Sequence, residues 1–420
     1  MNEQSSTAET LRARMVERLR RMPGGVPDEV AEAMSVVPRH LFVPEVALDE
    51  AYGAGAVVTH RDAEGVATSS ASAPGTVAGM LEQARVLPGQ QVLEVGAGTG
   101  YNAALLAHLV GPAGSVTTIE FDPLVAEEAH AHLAAHGTDQ VNVVTGDGML
   151  GAPGRAPFDR ILVTAGAWDI PAAWWEQLAP DGRLVLPLRL LGLTRTVAFE
   201  RDGEVLRSVS VVEDGFIPMK GMGAMAEQNV PIGPGPDLVL RVDDGRPVDA
   251  GALAGALRTG PQTAWAPVEA SWAWMENHDL WLATLPGFCR VFVDRDAIAA
   301  GRVPRPTYGG WAWGLFSGGS VAYLTARRTG GIDDMPLLQV GACGFGPDGA
   351  DLAEQLVTRV VAWQRDAGNG TDLAVEVRRK HAGSAIREPA PRDESALLTV
   401  DKAENTFVVH AVPRAATVTA

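Results

Sequence analysis

A glycine-rich segment between two apolar stretches contains the residues best suited to chemistry. Residues 92–100 read Val-Leu-Glu-Val-Gly-Ala-Gly-Thr-Gly, so a predicted strand carries an acid near its end and a GxGxG loop opens an apolar helix. Glycine lets the backbone turn tightly and approach a ligand, because no Cβ stands in the way. The free N–H groups of a helix N-terminus attract a carboxylate or a phosphate. In this strand–loop–helix context we predict that Gly96, Gly98 and Gly100 bind a cofactor.

Three acidic residues accompany this loop, each near the end of a predicted strand. Glu94 comes just before the first glycine, and Glu120 ends the next strand, 24 residues after that glycine. A carboxylate at the second position can hold both hydroxyl groups of a ribose. Asp147, followed by Gly148, comes after the third strand of the pattern. We therefore predict that Glu94, Glu120, Asp147 and Gly148 belong to the same cofactor site.

Two classes of cofactor use this arrangement, namely the nicotinamide or flavin dinucleotides and S-adenosylmethionine. The negative charge of Glu94 would repel a pyrophosphate, but it can pair with the amino group of methionine. The loop is GxGxG rather than the dinucleotide pattern GxGxxG, and Asp147 can reach the amino group of adenine. The pattern favours S-adenosylmethionine, with S-adenosylhomocysteine as the product. An NAD-dependent oxidoreductase and a binding protein that keeps the fold without turnover are the alternatives.

The elements around these motifs alternate between strand and helix, as expected for a parallel sheet with helices on both faces. Short apolar strands are predicted at residues 91–95, 115–119, 141–144, 158–164 and 183–187. Helices are predicted at residues 77–87, 101–110, 122–136 and 170–178. We predict a Rossmann-like α/β domain.

The chain divides into three predicted regions. Residues 1–73 form an N-terminal helical segment with a substrate loop, residues 74–225 the cofactor-binding domain, and residues 226–420 a Trp-rich C-terminal accessory domain of α+β type. Within these regions, residues 53–72 are rich in small and polar side chains and are predicted as a loop. Residues 228–236 are rich in Pro and Gly and are predicted as a linker.

The composition narrows the possible partners and the compartment. The chain has 51 Asp and Glu against 34 Lys and Arg, a net charge of −17, which argues against nucleic acid because phosphate binding needs a basic surface. No segment approaches the roughly 20 apolar residues of a membrane span, and no metal-ligand pattern is present. Cys289 and Cys343 are far apart and indicate free thiols in a reducing cytoplasm. The oligomeric state stays open.

Residues 10–222 resemble the protein-L-isoaspartate O-methyltransferase family. The resemblance rests on the glycine-loop segment and on motifs distributed along this region: Arg39 with Phe42-Val43-Pro44, Ala51-Tyr52, Ser72-Ala73-Pro74, Gly146-Asp147-Gly148, residues 156–165, residues 182–187 and Phe216-Ile217-Pro218. It implies a class I S-adenosylmethionine-dependent methyltransferase domain, with the N-terminal region as a helical cap. It also places Tyr101 and Asn102, which follow the glycine loop, in the cofactor site. The implied reaction is methyl transfer to an aspartyl or isoaspartyl carboxylate of a peptide.

The resemblance also identifies residues beside the transferred methyl group. Ser72 occupies the family's serine position, and its hydroxyl can donate to the substrate carboxylate. Ser70 precedes it in the same loop, and Thr164 ends a strand at the sheet edge where ligands bind. A carboxylate is already ionised at neutral pH and needs no general base. Alignment with the methyl group and removal of water can therefore supply much of the catalysis.

Two departures from the family pattern concern the substrate. Gly75 stands where the family has histidine, and residues 59–70 lack the usual Gly-His-Gly-Gln-Thr pattern. The extra C-terminal domain resembles the aspartate methyltransferases of lanthipeptide and graspetide biosynthesis. The first hypothesis is therefore methylation of an aspartate in a cyclised ribosomal precursor peptide, leading to aspartimide or isoaspartate. The alternative is a general protein-L-isoaspartate repair methyltransferase with an accessory domain.

Overall fold

The protein is described by a computed structural model over residues 3–138, 140–233, 235, 237–270, 278–332, 335–366, 371–380 and 396–413. The helices of these ranges are Glu3–Arg20 (α1), Asp28–Val36 (α2), Leu48–Ala51 (α3), Pro74–Ala84 (α4), Tyr101–Val110 (α5), Pro123–His136 (α6), Ala172–Gln177 (α7), Ala250–Leu253 (α8), His278–Leu282 (α9), Arg295–Ala299 (α10) and Gly349–Asp366 (α11). Two tryptophans of the predicted accessory domain, Trp272 and Trp274, lie outside the described residues.

The strands form two large sheets and one hairpin. Their bounds are Val57–Arg61 (β1), Ala67–Ala71 (β2), Gln91–Val95 (β3), Ser115–Glu120 (β4), Val141–Thr145 (β5), Phe158–Val163 (β6), Leu178–Leu190 (β7), Leu193–Asp202 (β8), Val205–Glu213 (β9), Gln228–Ile232 (β10), Leu238–Val242 (β11), Gln262–Ala270 (β12), Phe288–Val293 (β13), Trp311–Ser317 (β14), Ser320–Ile332 (β15), Met335–Phe345 (β16), Thr371–Arg379 (β17), Ala396–Asp401 (β18) and Asn405–Pro413 (β19).

The larger sheet has ten strands in the order β18-β19-β17-β9-β8-β7-β6-β3-β4-β5. The pairs β7–β6, β6–β3, β3–β4 and β4–β5 are parallel, and the helices α5 and α6 connect β3, β4 and β5 in sequence. The remaining pairs are antiparallel. The predicted α/β fold with its parallel sheet is therefore confirmed.

Local sequence explains why the elements around the glycine loop form. Four of the five residues of β3 are buried, as a central strand covered on both faces requires. Helix α6 begins at Asp122, whose carboxylate accepts a hydrogen bond from the Leu124 N–H at 3.0 Å. The same helix ends at Gly137, whose φ of 77° is the left-handed conformation that glycine adopts without strain.

Two predicted irregular segments contain strands instead. The predicted loop over residues 53–72 holds an antiparallel hairpin, in which Val57 pairs with Ala71 and Val58 with Ser70. Small and polar side chains hide the period of two by which a strand is recognised. The predicted linker over residues 228–236 contains β10, which pairs with β11 at the edge of the second sheet. Its Pro231 is tolerated because an edge strand can lack one N–H donor.

The second sheet has seven antiparallel strands in the order β10-β11-β13-β14-β15-β16-β12. Helix α11 buries Leu352, Leu356, Val360 and Trp363, and it packs on β12, β15 and β16. This layer of helix on antiparallel sheet confirms the predicted C-terminal α+β architecture.

The last three strands do not belong to this second sheet. Strand β17 pairs with β9, and the Arg207 guanidinium donates to the Glu376 carboxylate across that pair. Strands β19 and β18 continue the ten-stranded sheet outward. The chain thus leaves the first sheet after β9, builds the second, and returns. The predicted boundaries at residues 73 and 225 stay predictions.

The structure adds one observation on membranes and one on metals, both restricted to the described ranges. No helix there is long and apolar enough to cross a membrane. No group of three or more His, Cys, Asp or Glu side chains there is placed to hold a metal ion.

Candidate active site

One cavity of about 460 Å³ lies at the carboxyl ends of β3, β4 and β6. This edge of a parallel sheet is where ligands bind in open α/β folds. Ten of the twelve predicted site residues line it: Ser70, Ser72, Glu94, Gly96, Gly98, Tyr101, Asn102, Glu120, Gly148 and Thr164. The other two, Gly100 and Asp147, lie beside it. The cofactor residues and the substrate residues predicted from sequence therefore share one space.

The glycine loop passes close to neighbouring backbone and side chains. Gly96 has a φ of +103°, and a Cβ there would come within 2.5 Å of the Thr164 Oγ1. Gly98 has a φ of +51° and approaches the backbone carbonyl of Ser70, which would lie 3.4 Å from an added Cβ. Side chains at these positions would fill the cavity floor and strain the turn. The loop therefore leaves room for a ligand.

Glu94 is a fully buried carboxylate held by two donors. The Asn102 Nδ2 donates to its Oε1 at 2.7 Å, and the Thr118 hydroxyl donates to its Oε2 at 2.5 Å. Burial raises the pKa of Glu94 to about 7, and these two hydrogen bonds oppose the rise only in part. A bound ammonium group would complete the charge balance. The buried Asn102 Oδ1 also has no partner among the described residues.

Glu120 is fixed by backbone donors at the opposite side of the loop. The Gly98 N–H donates to its Oε2 at 3.0 Å, and the Asp122 N–H donates to its Oε1 at 3.2 Å. Each carboxylate oxygen keeps acceptor capacity beyond one such bond. Both oxygens of Glu120 can therefore accept further hydrogen bonds, and its contact with the ribose hydroxyl groups stays a prediction.

The two predicted residues outside the cavity have other observed contacts. Gly100 begins α5 with a φ of +85°, and an added Cβ would lie 3.1 Å from the Ala129 carbonyl of α6. The carboxylate of Asp147 accepts hydrogen bonds from the Met149 N–H at 2.9 Å and the Met222 N–H at 2.7 Å. Gly100 thus permits close packing of α5 on α6. The adenine contact of Asp147 stays a prediction.

Ser72 is positioned by a buried arginine. The Arg39 guanidinium is fully buried and donates to the backbone carbonyls of Ala51, Ala71 and Ser72 at 2.9, 3.2 and 2.9 Å. It lies 5.0 Å from the ring centre of Tyr101, a favourable cation–π distance. The side chain of Tyr101 is thus buried beneath the Ser72 loop, and the residue borders the cavity at the start of α5.

Thr164 has an observed role within the cavity floor. Its hydroxyl lies 2.7 Å from the Gly96 carbonyl and 3.1 Å from the Val95 carbonyl, so its proton is directed to backbone. It thereby ties the end of β6 to the glycine loop. Its contact with substrate stays a prediction, as do those of Ser70 and Ser72.

The cavity contains residues that local motifs did not indicate. Lys220 is the only Lys, Arg or His among the described residues that line it. Asp214 lines the same wall, accepts a hydrogen bond from the Thr76 hydroxyl at 3.3 Å, and has its pKa raised by burial. Only the composition could have drawn attention to Lys220, because lysine is rare in this sequence: it accounts for three of the 34 Lys and Arg residues.

Comparisons with known proteins identify the family of the chain. The sequence model of the protein-L-isoaspartate(D-aspartate) O-methyltransferase family matches residues 10–222, just over half of the chain. A protein-L-isoaspartate O-methyltransferase of Methanopyrus kandleri is 44% identical over 227 residues, covering 54% of this chain and 93% of that protein. Protein-L-isoaspartate O-methyltransferase 2 of Archaeoglobus fulgidus is 45% identical over 184 residues, covering 42% of this chain and 78% of that protein. A solved protein-L-isoaspartate O-methyltransferase structure overlays with a TM-score of 0.49 at 22% identity, covering 87% of this chain and 96% of that one.

The parallel sheet, the glycine loop and the two carboxylates define a class I S-adenosylmethionine-dependent methyltransferase. The chain belongs to the protein-L-isoaspartate(D-aspartate) O-methyltransferase family. It is an enzyme that uses S-adenosylmethionine to methylate a carboxyl oxygen, as the sequence predicted.

Proposed function

We propose that this enzyme methylates isoaspartyl carboxylates in peptides and proteins, the alternative that the sequence left open. The observation that carries the proposal is the single cavity in which Glu94 and Glu120 face the same space as Ser72 and Lys220. The relatives from Methanopyrus kandleri and Archaeoglobus fulgidus, both named as protein-L-isoaspartate O-methyltransferases, support this substrate class.

The described residues fit S-adenosylmethionine. Glu94 is a buried acid without a cationic partner among these residues, and a methionine ammonium would supply one. Glu120 is oriented for the ribose hydroxyls, and the glycine loop leaves space above the sheet edge. When bound, the cofactor supplies an electrophilic methyl group on a sulfonium. The residues of this chain bind it, orient the acceptor and exclude water.

On the substrate side, the chain provides a cation and a hydroxyl. Lys220 can attract and hold a carboxylate in a cavity whose other charged lining residues, Glu94, Glu120 and Asp214, are acidic. The Ser72 hydroxyl can donate to one oxygen of that carboxylate, which leaves the other oxygen free to attack. A carboxylate is ionised at neutral pH, so no proton has to be removed. Catalysis then rests on proximity and orientation.

A second candidate is the methylation of an aspartate in a cyclised precursor peptide. It is favoured by the second sheet with α11, which lies beyond the matched residues 10–222. It is also favoured by Gly75, where the helix α4 presents no side chain and an added Cβ would meet Met22 at 3.5 Å. In this candidate the methyl ester is lost as methanol when the next backbone nitrogen closes an aspartimide. A cytoplasmic location remains part of both proposals.

The test uses the full chain, S-adenosylmethionine and three peptides. These are an isoaspartyl peptide, the same peptide with a normal aspartate, and a cyclised precursor encoded near this gene. We expect mass spectrometry to show one added methyl group on the isoaspartyl peptide and none on its aspartyl control. Methylation of the cyclised precursor alone would replace the first candidate by the second. Binding of the cofactor without methylation of any peptide would overturn both substrate assignments.

A further inference from the structure

The turn between β18 and β19, residues 401–405, lies against the loop between β6 and α7, residues 164–171. Lys402, Glu404 and Asn405 of the turn all bond to this loop or to the first residues of α7. The two segments are more than 230 positions apart in sequence. The turn lies beyond residue 222, whereas the loop lies within residues 10–222, the region that the family model matches.

Lys402 makes the central contact. Its ammonium donates to the backbone carbonyls of Trp168 and Arg189, and it lies 4.9 Å from the ring centre of Phe407. The ammonium makes no ion pair with a carboxylate among the described residues, although Asp169 and Asp243 act on it from a longer distance. Burial lowers the pKa of Lys402 to about 8. Burial of this ammonium is unfavourable, and the hydrogen bonds that it gains join two backbone carbonyl groups from different segments.

The neighbours of Lys402 in the turn complete the contact. The Ala172 N–H donates to the Glu404 Oε2 at 2.7 Å, which satisfies a donor at the start of α7. The Glu404 N–H donates to the Asp169 Oδ2 at 2.8 Å. The Asn405 Nδ2 donates to the Asp169 Oδ1 at 2.6 Å and to the Ile170 carbonyl at 2.7 Å. The turn thus holds three successive loop residues, Trp168, Asp169 and Ile170, and the first residue of α7.

The other side of the loop forms the wall of the cavity. Thr164 and Ala165 line the cavity, and the Gly166 N–H donates to the Ile217 carbonyl at 2.8 Å. The Met219 N–H returns a bond to the Gly166 carbonyl at 3.0 Å. Ile217 and Met219 are cavity residues on the wall that also carries Lys220. A displacement of the loop would therefore move the wall that faces the substrate.

Residues beside the second sheet also contact this region, through Arg189 of β7. Its backbone carbonyl accepts from Lys402, and its guanidinium donates to Glu227 at 2.6 Å and to Asp243 at 3.1 Å. The guanidinium also lies 4.4 Å from the ring centre of Trp168. The second sheet and the 401–405 turn, which both follow residue 222 in sequence, thus meet beside this loop.

A lysine suits this place better than the arginine that the chain uses almost everywhere else. Its ammonium is a compact donor on a flexible stem, whereas a guanidinium is planar and presents its donors in a fixed fork. Two carbonyls on different segments, those of Trp168 and Arg189, are met by one ammonium.

We propose that Lys402 is a positioning residue, through which the 401–405 turn fixes the 164–171 loop and so the substrate-side wall of the cavity. The cofactor side, formed by the glycine loop and Glu120, has no bond to this turn in the described part of the chain. The bond from the Thr164 hydroxyl to the Gly96 carbonyl lies at the β6 end of the loop, four residues before Trp168. The proposal rests on the proposed function only where it assigns this wall to the substrate. It predicts that the C-terminal part of the chain acts on peptide binding and methyl transfer, and leaves cofactor binding unchanged.

The test compares the full-length wild type with Lys402→Met, which keeps the length of the stem and removes the donors. Arg365→Met is the matched control, because Arg365 is an exposed cation at the end of α11 that pairs with Asp366. We expect Lys402→Met to lower kcat/KM for the isoaspartyl peptide at least tenfold and to change the Kd of S-adenosylmethionine less than twofold. The control should change neither.

A readout besides activity separates this proposal from the proposed function. Hydrogen exchange of the Gly166 and Met219 amides should be at least tenfold faster in Lys402→Met, with the Gly98 amide unchanged. Glu404→Ala should show the same pattern more weakly, which covers the case in which Lys402→Met fails to fold. Equal losses of cofactor and peptide binding, or unchanged exchange at Gly166, would overturn the positioning role. If the wild type methylates no peptide, but exchange in Lys402→Met is faster than in the wild type as expected, only the substrate assignment is overturned.

Discussion

The Arg39 guanidinium donates to the backbone carbonyl of Ser72 at 2.9 Å from a fully buried position. It also holds the carbonyls of Ala51 and Ala71, so a single side chain joins α3, the end of β2 and the serine loop. Burial lowers the pKa of Arg39, but a guanidinium remains charged at neutral pH. The position of the candidate catalytic serine is thus set from beneath the cavity.

Arg39→Met should therefore lose stability together with activity. Three carbonyls would lose their donor, two of them in buried hydrogen bonds, and each buried unsatisfied group costs about 1–3 kcal/mol before relaxation. We expect urea denaturation to show a free energy of unfolding lower by about 3 kcal/mol, with peptide methylation reduced in the folded fraction. Arg21→Met, which removes an exposed i,i+4 ion pair with Glu17 on the surface of α1, is the control and should be nearly neutral. An unchanged midpoint for Arg39→Met would contradict the role given to Arg39.

Ser72→Ala tests the predicted donor to the substrate carboxylate. We expect kcat/KM for the isoaspartyl peptide to fall by roughly 10–100-fold, because a hydrogen bond to a charged group is worth about 1.5–3 kcal/mol. The Kd of S-adenosylmethionine should stay within twofold, because none of the predicted cofactor residues bonds to this hydroxyl. Ser35→Ala, whose hydroxyl donates to the Ala31 carbonyl within α2, is the matched control. A full-rate Ser72→Ala enzyme would remove Ser72 from the catalytic group.

Lys220→Met tests whether the positive charge of Lys220 helps to bind the carboxylate of the peptide. A carboxylate partly screened by water gains about 1 kcal/mol from one ammonium, so the KM for the peptide should rise about fivefold. Lys220→Arg keeps the charge and should stay closer to the wild type, and the KM for S-adenosylmethionine should be unchanged in both variants. A rise in the cofactor KM instead would assign Lys220 to the cofactor.

The raised pKa of Glu94 makes cofactor binding depend on pH. In the free enzyme the carboxyl has a pKa of about 7, and only its ionised form pairs with a methionine ammonium. As the pH falls below 7, binding must first remove a proton, so the Kd should rise by up to about tenfold per pH unit. Isothermal titration between pH 6 and 7.5 measures this slope. Glu94→Gln should bind more weakly and show no slope in that range.

The lowered pKa of Lys402 makes the stability of the folded chain depend on pH. Its folded pKa of about 8 lies below the ordinary value of 10.5, so between these pH values the unfolded chain binds more protons. The contribution of Lys402 to the free energy of unfolding should therefore increase as the pH rises through this window, by at most about 3 kcal/mol. The difference between wild type and Lys402→Met, measured by denaturation at pH 7.5 and pH 10, isolates this group from other titrations. A constant difference would show that the lysine titrates normally.

The cofactor half of the site was predictable because its determinants are local. Glu94, Gly96 and Gly98 lie within five consecutive residues, and their strand–loop–helix context follows from hydrophobic pattern. Glu120 required only the next strand of the same repeat. The structure brings all four to one cavity.

The contacts that sequence reasoning missed join distant segments. Lys402 reaches Trp168 and Arg189 across 234 and 213 positions. No local pattern encodes which strand pairs with β9, because an exposed edge accepts any complementary strand. The hairpin of β1 and β2 was missed for a different reason, since its Ala, Ser and Thr side chains lack the alternation that marks a strand.

The return of the chain to its first sheet has a consequence for synthesis. Arg207 of β9 is synthesised before its partner Glu376 of β17, which lies 169 positions further along the chain. At about 5–20 residues per second, β9 is present without its neighbour for roughly 10–30 s while the second sheet is being made. During that interval it is an unpaired edge that invites association with other nascent chains. The antiparallel second sheet lies in sequence between the two strands of this pair, so a chain that stalls while this sheet is being made leaves the edge of β9 exposed.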